Sequence, residues 1–279
     1  MKIAFRTHDL GVKGAEAAVT KCKQCGITAV QLVAYKFIDE IPYRPGGITE
    51  KSAEALGKTL KEGGISVGLI GAYFNPVHSN KQKVADCKQV FKDYLKYSHL
   101  LGCNIVGSET GSFNDDKWPY NPLNRTDEAL QTVVETFTEL ADYAKEAGAY
   151  IGMEGAAGHV CYDVATLKRA IDNVNRDNVK VIFDIYNYLD MSNYRNYLAI
   201  LDEGLKTFAG KIAVFHLKDF IVADGKIKQV EPGKGDFDYP AILKKIKAYD
   251  ENATLVLEGT AGEDILPSIN FINKVWASV

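Results

Sequence analysis

Four short apolar runs in the second half of the chain each finish on a side chain that can bind a metal ion. They are 149-AYIGME-154, 179-VKVIFD-184, 211-KIAVFH-216 and 253-ATLVLE-258, and their last residues are Glu154, Asp184, His216 and Glu258. Three carboxylates and one imidazole make a hard, oxygen-rich donor set with one borderline nitrogen. That set suits Mn²⁺ first and Mg²⁺, Co²⁺ or Zn²⁺ after it, and disfavours metals that prefer thiolates. A single carboxylate at a strand end often only caps the next helix or pairs with a lysine, and a lone histidine near a core is usually just hydrogen-bonded there. Four in register are not explained that way. The expectation is one divalent ion held by Glu154, Asp184, His216 and Glu258.

Each run is too short for a helix, is bounded by turn residues and is followed by a helical pattern, which is how a strand buried on both faces reads. The same alternation runs through the whole chain, about eight times. Lys2–Arg6 is the first strand and the helix after it extends from about Lys13 to Cys25; Thr28–Val33 is the second strand and Ser66–Ile70 the third. Thr49 and Thr126 stand where helix N-caps are needed, and Gly148 where a helix must stop. A doubly wound open sheet usually has fewer strands and a glycine-rich first turn, whereas 6-RTHDLGVKG-14 lacks the G-x-G-x-x-G spacing. The fold expected is therefore α/β, a single (β/α)8 barrel domain over residues 1–279, in which strand ends five to eight meet at one mouth.

Composition narrows the function classes. The 279 residues are 46% hydrophobic and 25% charged, as in an ordinary soluble globular protein. A net charge of -3 lacks the basic excess of a nucleic-acid binder. The opening MKIAFRTHDL does not read as a signal peptide, and no run approaches the roughly 20 apolar residues of a membrane span. Five scattered cysteines fit a reduced, cytoplasmic setting better than a disulfide framework. The partners expected are a small sugar or sugar-derived molecule and a second copy of the chain, without nucleic acid or membrane.

Other residues near the expected mouth are candidates for substrate binding, each with an ordinary structural alternative. His159 follows Glu154 by five residues and can hydrogen-bond substrate or move a proton. Lys218, two beyond His216, can neutralise developing negative charge. Glu109 ends the fourth strand, His8 the first, and Phe74, Asn75 and His78 follow the third. Trp118, with Tyr120, lies in the longest irregular stretch, 108-SETGSFNDDKWPYNPLNR-125, of the length seen in lids and binding loops. Asp219 is read as a support for one of the ligands or a helix cap, and 233-GKG-235 as a turn whose N–H groups can receive a phosphate.

The chain resembles the xylose-isomerase-like barrel superfamily, through the four strand-end residues, 214-VFHLKD-219, 255-LVLEGT-260, 233-GKGDFDYP-240 and 107-GSETG-111. The resemblance implies one Mn²⁺-like ion on Glu154, Asp184, His216 and Glu258, with the two glutamates on opposite faces of a sugar. They would remove and return a proton beside a carbonyl while the ion stabilises the enediolate. It implies an isomerase or epimerase of a keto-sugar, sugar phosphate or related polyol ketone. The alternative is a lyase or dehydratase on the same site, like inosose dehydratases or C-glycoside-cleaving relatives. Two positions depart from the epimerase pattern: Asn187 stands where those enzymes carry a histidine that touches substrate, and Val222 where they carry an arginine. An endonuclease IV-like phosphodiesterase would need several metals and a basic groove, which five histidines and a negative net charge do not supply. A non-catalytic sugar-binding barrel would have no use for four intact ligands.

Overall fold

A computed structural model describes residues 1–117 and 119–279; Trp118 lies outside the described residues. Eight parallel strands close into a barrel: β1 (Lys2–Arg6), β2 (Ala29–Leu32), β3 (Ser66–Gly71), β4 (Ile105–Glu109), β5 (Tyr150–Glu154), β6 (Val179–Asp184), β7 (Ile212–Leu217) and, after an inserted hairpin, β10 (Thr254–Leu257). The helices α1 (Ala15–Cys25), α2 (Glu50–Glu62), α3 (Lys81–Tyr97), α4 (Asp127–Glu146), α5 (Val164–Val174), α6 (Tyr197–Thr207), α7 (Tyr239–Tyr249) and α8 (Ile265–Ser278) alternate with the strands. The (β/α)8 expectation is met. No described helix is long and apolar enough to cross a membrane.

The helix boundaries follow their caps. Thr49 accepts from the Ser52 N–H in a reciprocal capping box, and Thr126 accepts from the Ala129 N–H ahead of Asp127 and Glu128. The first helix starts at Ala15 rather than Lys13, because Gly14 takes φ 88°, outside any helical region. The second strand is also shorter than read. The Val33 N–H donates to the Thr7 hydroxyl at 3.0 Å, so residue 33 turns out of the ladder. The same contact belongs to the turn Thr7–Leu10 that carries His8, which consequently lies beyond the end of β1 and not at its last position.

Side chains alternate along a strand, so residues two apart enter the barrel together. An apolar plug of Ala4, Ala29, Leu69, Ile182, Val214 and Val256 fills the barrel. Two residues further along their strands stand Arg6, Gln31, Asp184, His216 and Glu258. Strands β4 and β5 have glycine at the plug level, Gly107 and Gly152, two positions before Glu109 and Glu154. A Cβ on Gly107 would come within 2.4 Å of the Ile182 Cδ1, and one on Gly152 within 3.2 Å. The missing side chains on β4 and β5 make room for Ile182 on β6. A dry layer thus closes the barrel directly under a polar one.

An antiparallel hairpin follows β7, formed by β8 (Asp219–Ala223) and β9 (Lys226–Val230), where the sequence reading has only a connection. Its two-residue turn, Asp224-Gly225, has φ of 54° and 67°. Positive φ at both positions is the conformation that Asp-Gly favours between twisted strands.

Candidate metal centre

The four strand-end residues meet. One ligand atom from each of Glu154, Asp184, His216 and Glu258 lies within 4.8 Å of all the others, a spacing that a single cation can bridge. Glu154, Asp184 and His216 are buried, while Glu258 keeps 14% side-chain exposure and faces a cavity. His216 Nδ1 stands 3.0 Å from Glu258 Oε2 and 3.2 Å from Glu154 Oε1. Both His216 nitrogens and Asp184 Oδ2 are buried without a well-formed hydrogen bond; His216 Nδ1 faces the two glutamates, and Asp184 Oδ2 has the Lys218 ammonium 2.8 Å away. Donor chemistry, convergence and these three atoms all fit a divalent ion.

The surrounding electrostatics arise from three carboxylates sharing a small volume. Burial opposes a charge on His216, but Glu154 and Glu258 beside it outweigh burial and raise its pKa to about 10. Burial likewise opposes charge on Glu258, yet Lys218, His216 and Arg6 hold its carboxyl well below the ordinary range. Asp184 moves the other way: burial raises it, with Glu258 and Glu154 adding to the rise against Lys218. Glu109 stands beside the cluster, where burial and then Glu154 and Glu258 raise its carboxyl to about 8.

Lys218 is brought into the cluster, with Nζ 2.8 Å from Asp184 Oδ2 and 3.1 Å from Glu258 Oε2. It also donates to Asn187 Oδ1 at 2.8 Å, and Asn187 Nδ2 donates to Glu154 Oε1 at 2.8 Å. The amide at position 187 therefore links a lysine to one glutamate as a fixed bridge that carries no charge. Val222 is exposed on β8.

The other glutamate is held from β1, the strand next to its own. Arg6 Nη1 donates to Glu258 Oε1, and Arg6 Nε and Nη2 donate to the Asp9 carboxylate at 2.7 and 3.1 Å. Asp9 in turn accepts from the Gly259 N–H at 3.1 Å, and Gln229 of β9 donates to the Glu258 carbonyl at 3.2 Å. Beside this clamp opens a cavity of about 460 Å³. It is lined by Arg6, His8, Tyr35, Lys36, Tyr73, Glu109, Glu154 and Glu258. His8 and Glu109 thus reach the mouth as expected. Burial, then Lys36 and Arg6, lowers the His8 pKa to about 4, so the imidazole is neutral there.

Other candidates take different places. His159 is buried in the turn after β5, its pKa lowered to about 4 by burial and by Lys218. Asn75 donates to the Ser112 and Asp115 carbonyls at 2.6 and 2.8 Å and so ties the long loop down, while Phe74 packs on Phe91. Asp219 neither supports a ligand nor caps a helix. Its Oδ2 accepts from the Gly233 and Gly235 N–H groups at 3.0 Å each, and its Oδ1 from Phe220 and Phe237 at 2.8 and 3.1 Å. The N–H groups of 233-GKG-235 that could cradle a phosphate are filled by the chain's own carboxylate. Arg6, Asp9, Gln31, Lys36 and Tyr73 were missed. Arg6 and Gln31 were findable, because they obey the same two-residue offset from the apolar plug as the ligands do.

A closed parallel barrel with acid and imidazole groups converging at the carboxyl ends of its strands is a framework on which many enzymes are built. The family model described as xylose isomerase-like TIM barrel matches residues 19–275, and the chain belongs to that family. An inosose isomerase from Bacillus licheniformis is 33% identical over 121 residues, a match that spans 41% of each chain. An inosose dehydratase from Serratia proteamaculans is 24% identical over 220 residues, 69% of each. The IolI protein, solved with a binding zinc atom, superimposes with a TM-score of 0.74 at 18% identity, over 100% of this chain and 97% of that one. Its likeness is one of fold. The first two relatives are named as an inosose isomerase and an inosose dehydratase, and the chain spans less than half the length of the first of them.

Proposed function

We propose that the protein is a divalent-metal-dependent isomerase or epimerase of an uncharged polyol ketone, with Glu154, Asp184, His216 and Glu258 as ligands. The observation that carries this is the convergence of those four strand ends within 4.8 Å of one another. Mn²⁺ is the first choice of ion from the oxygen-rich donor set, with Zn²⁺ supported by the zinc of the IolI protein. A divalent ion bound there supplies Lewis acidity that makes a hydrogen beside a ketone acidic. The chain's own groups do the rest. Glu154, steadied by Asn187, and Glu258, steadied by Arg6, stand on two sides of the cluster, where one takes the proton and either returns it. Lys218 contributes a positive charge within reach of both Asp184 and Glu258, and His8 offers a neutral imidazole to a substrate hydroxyl.

Two features favour an unphosphorylated substrate. The glycine turn that could bind phosphate is filled by Asp219, and Arg6 on the cavity wall is neutralised by Asp9 and Glu258. A second reading, dehydration by the same proton removal followed by loss of a hydroxyl from the adjacent carbon, is supported by two observations. One is the Asn187 bridge in place of a substrate-touching histidine; the other is the long match to an inosose dehydratase.

The test is ¹H NMR in D₂O with Mn²⁺ over a panel of ketoses, inososes and 3-keto-glycosides. Deuterium entering beside the carbonyl with the carbon skeleton intact supports isomerase or epimerase; water loss supports dehydratase. If none of the panel exchanges, the proposal fails.

A further inference from the structure

Tyr73, which lines the cavity, and Gln31 form a pair that the mechanism above does not use. Gln31 is wholly buried inside the barrel, level with Arg6 in the β1–β2 register. Its Nε2 donates to the Tyr73 hydroxyl at 2.7 Å. Tyr73 is held independently by its backbone, whose carbonyl accepts from the Tyr43 hydroxyl at 2.9 Å. Its ring edge packs against Gly71, where a Cβ would meet the ring at 2.7 Å, so only glycine leaves it room. Tyr73 is thus fixed in position by two hydrogen bonds and one packing contact.

A phenol oxygen that accepts from an amide keeps its own proton to donate elsewhere. No acceptor among the described residues takes it. The hydroxyl lines the cavity shared with Glu109, Glu154 and Glu258. Burial, reinforced by those three carboxylates, holds the phenol's pKa well above the ordinary tyrosine range, so it stays a donor.

We infer that Tyr73 donates a hydrogen bond to the substrate oxygen that gains negative charge when the neighbouring hydrogen is removed, and that Gln31 sets the direction of that bond. The inference rests on the reading that a ketone polyol occupies this cavity over the four-residue cluster. A preset donor aimed at developing charge acts on the transition state more than on the bound ground state. Its loss should therefore appear in kcat rather than in KM.

The experiment compares wild type, Tyr73→Phe and Gln31→Glu, each loaded with Mn²⁺, by exchange into D₂O of the hydrogens beside the carbonyl of D-fructose and of 2-keto-myo-inositol. Tyr73→Phe keeps the ring and should keep the melting temperature and the Mn²⁺ dissociation constant of the wild type. It should lose about 10- to 100-fold in kcat, with KM changed less than about threefold. Gln31→Glu supplies a carboxylate that draws the phenol's proton back into the barrel wall, and should reduce kcat in the same way with the tyrosine intact. A Tyr73→Phe enzyme with wild-type kcat, or one altered in KM alone, overturns the assignment while leaving the enolisation reading in place. A wild type that exchanges neither probe overturns both.

Discussion

Metal uptake by this protein should release a proton, and His216 fixes both the amount and the pH range. Glu154 and Glu258, 3.2 and 3.0 Å from its Nδ1, raise its pKa to about 10 against the opposing effect of burial. At pH 7 the imidazole of the metal-free protein is therefore protonated on both nitrogens. A ligating imidazole needs a free lone pair, so the ion and the proton compete for it. The sign follows directly. Raising the pH removes the competitor, so the apparent affinity for Mn²⁺ climbs about tenfold per pH unit up to pH 9 and levels off above about pH 10. Calorimetric titration with Mn²⁺ at pH 7.0, in two buffers of unequal ionisation enthalpy, should give heats that differ by about one proton per ion. His216→Gln should bind far more weakly and release no proton. Affinity that is flat between pH 7 and 9, or equal heats in the two buffers, would refute the argument that His216 is a protonated ligand in waiting.

Three further perturbations follow from the same geometry. Lys218→Met removes a cation 2.8 and 3.1 Å from two ligand oxygens, so Mn²⁺ should bind at least about tenfold more tightly in calorimetry even as exchange activity falls. Asp219→Ala deprives the Phe220, Gly233, Gly235 and Phe237 N–H groups of their acceptor and should cost about 3 kcal/mol or more in urea unfolding; Asp219→Asn, which keeps one oxygen, should cost less. Gly107→Ala forces Ile182 aside and should cost about 1–3 kcal/mol, with a good part regained in Gly107→Ala/Ile182→Val, and additive losses in the double variant would disprove the contact.

The barrel was legible because its strands are buried on both faces and read as unbroken apolar runs with turn residues between them. The convergence of Glu154, Asp184, His216 and Glu258 was legible for a related reason: a polar side chain at the end of such a run has nowhere to go but the mouth. Boundaries were harder to read. Gly14 and Thr7 moved two of them by contacts with no periodicity in sequence, one a backbone conformation and the other a hydroxyl reaching across to Val33. The hairpin after β7 had a visible signal, Asp224-Gly225 between alternating residues, that the expectation of a bare connection overrode. Asp219 could not be placed from sequence, because the four N–H groups it collects come from as far as 18 residues away and converge only in the folded turn. Tyr73 was hidden for a like reason, since its partner Gln31 is 42 residues distant and one strand over.

The two halves of the barrel divide the work. Strands β5, β6, β7 and β10 bring the three carboxylates and the imidazole, while β1, β2 and the loop after β3 bring Arg6, Gln31 and Tyr73. Arg6 pairs with Glu258 from the adjacent strand, and Asp9 occupies the rest of the guanidinium. The chain of contacts from Gly259 through Asp9 and Arg6 back to Glu258 closes on one strand end. That closure fixes one carboxylate oxygen and leaves the other toward His216 and Lys218. Asn187 does the corresponding service for Glu154 from the other side. Two glutamates of the same type are thereby put in unlike surroundings. Both touch the His216 imidazole, but Glu258 also has Lys218 and Arg6 beside it, whereas Glu154 has the neutral amide of Asn187. On the proposed reaction, Glu154, which no arginine or lysine among the described residues contacts, would take the proton, and Glu258, fixed by Arg6, would hold the ion. Glu154→Gln should accordingly abolish exchange while keeping measurable Mn²⁺ binding, and Glu258→Gln should weaken Mn²⁺ binding more; calorimetry on both variants showing the reverse order would overturn the division.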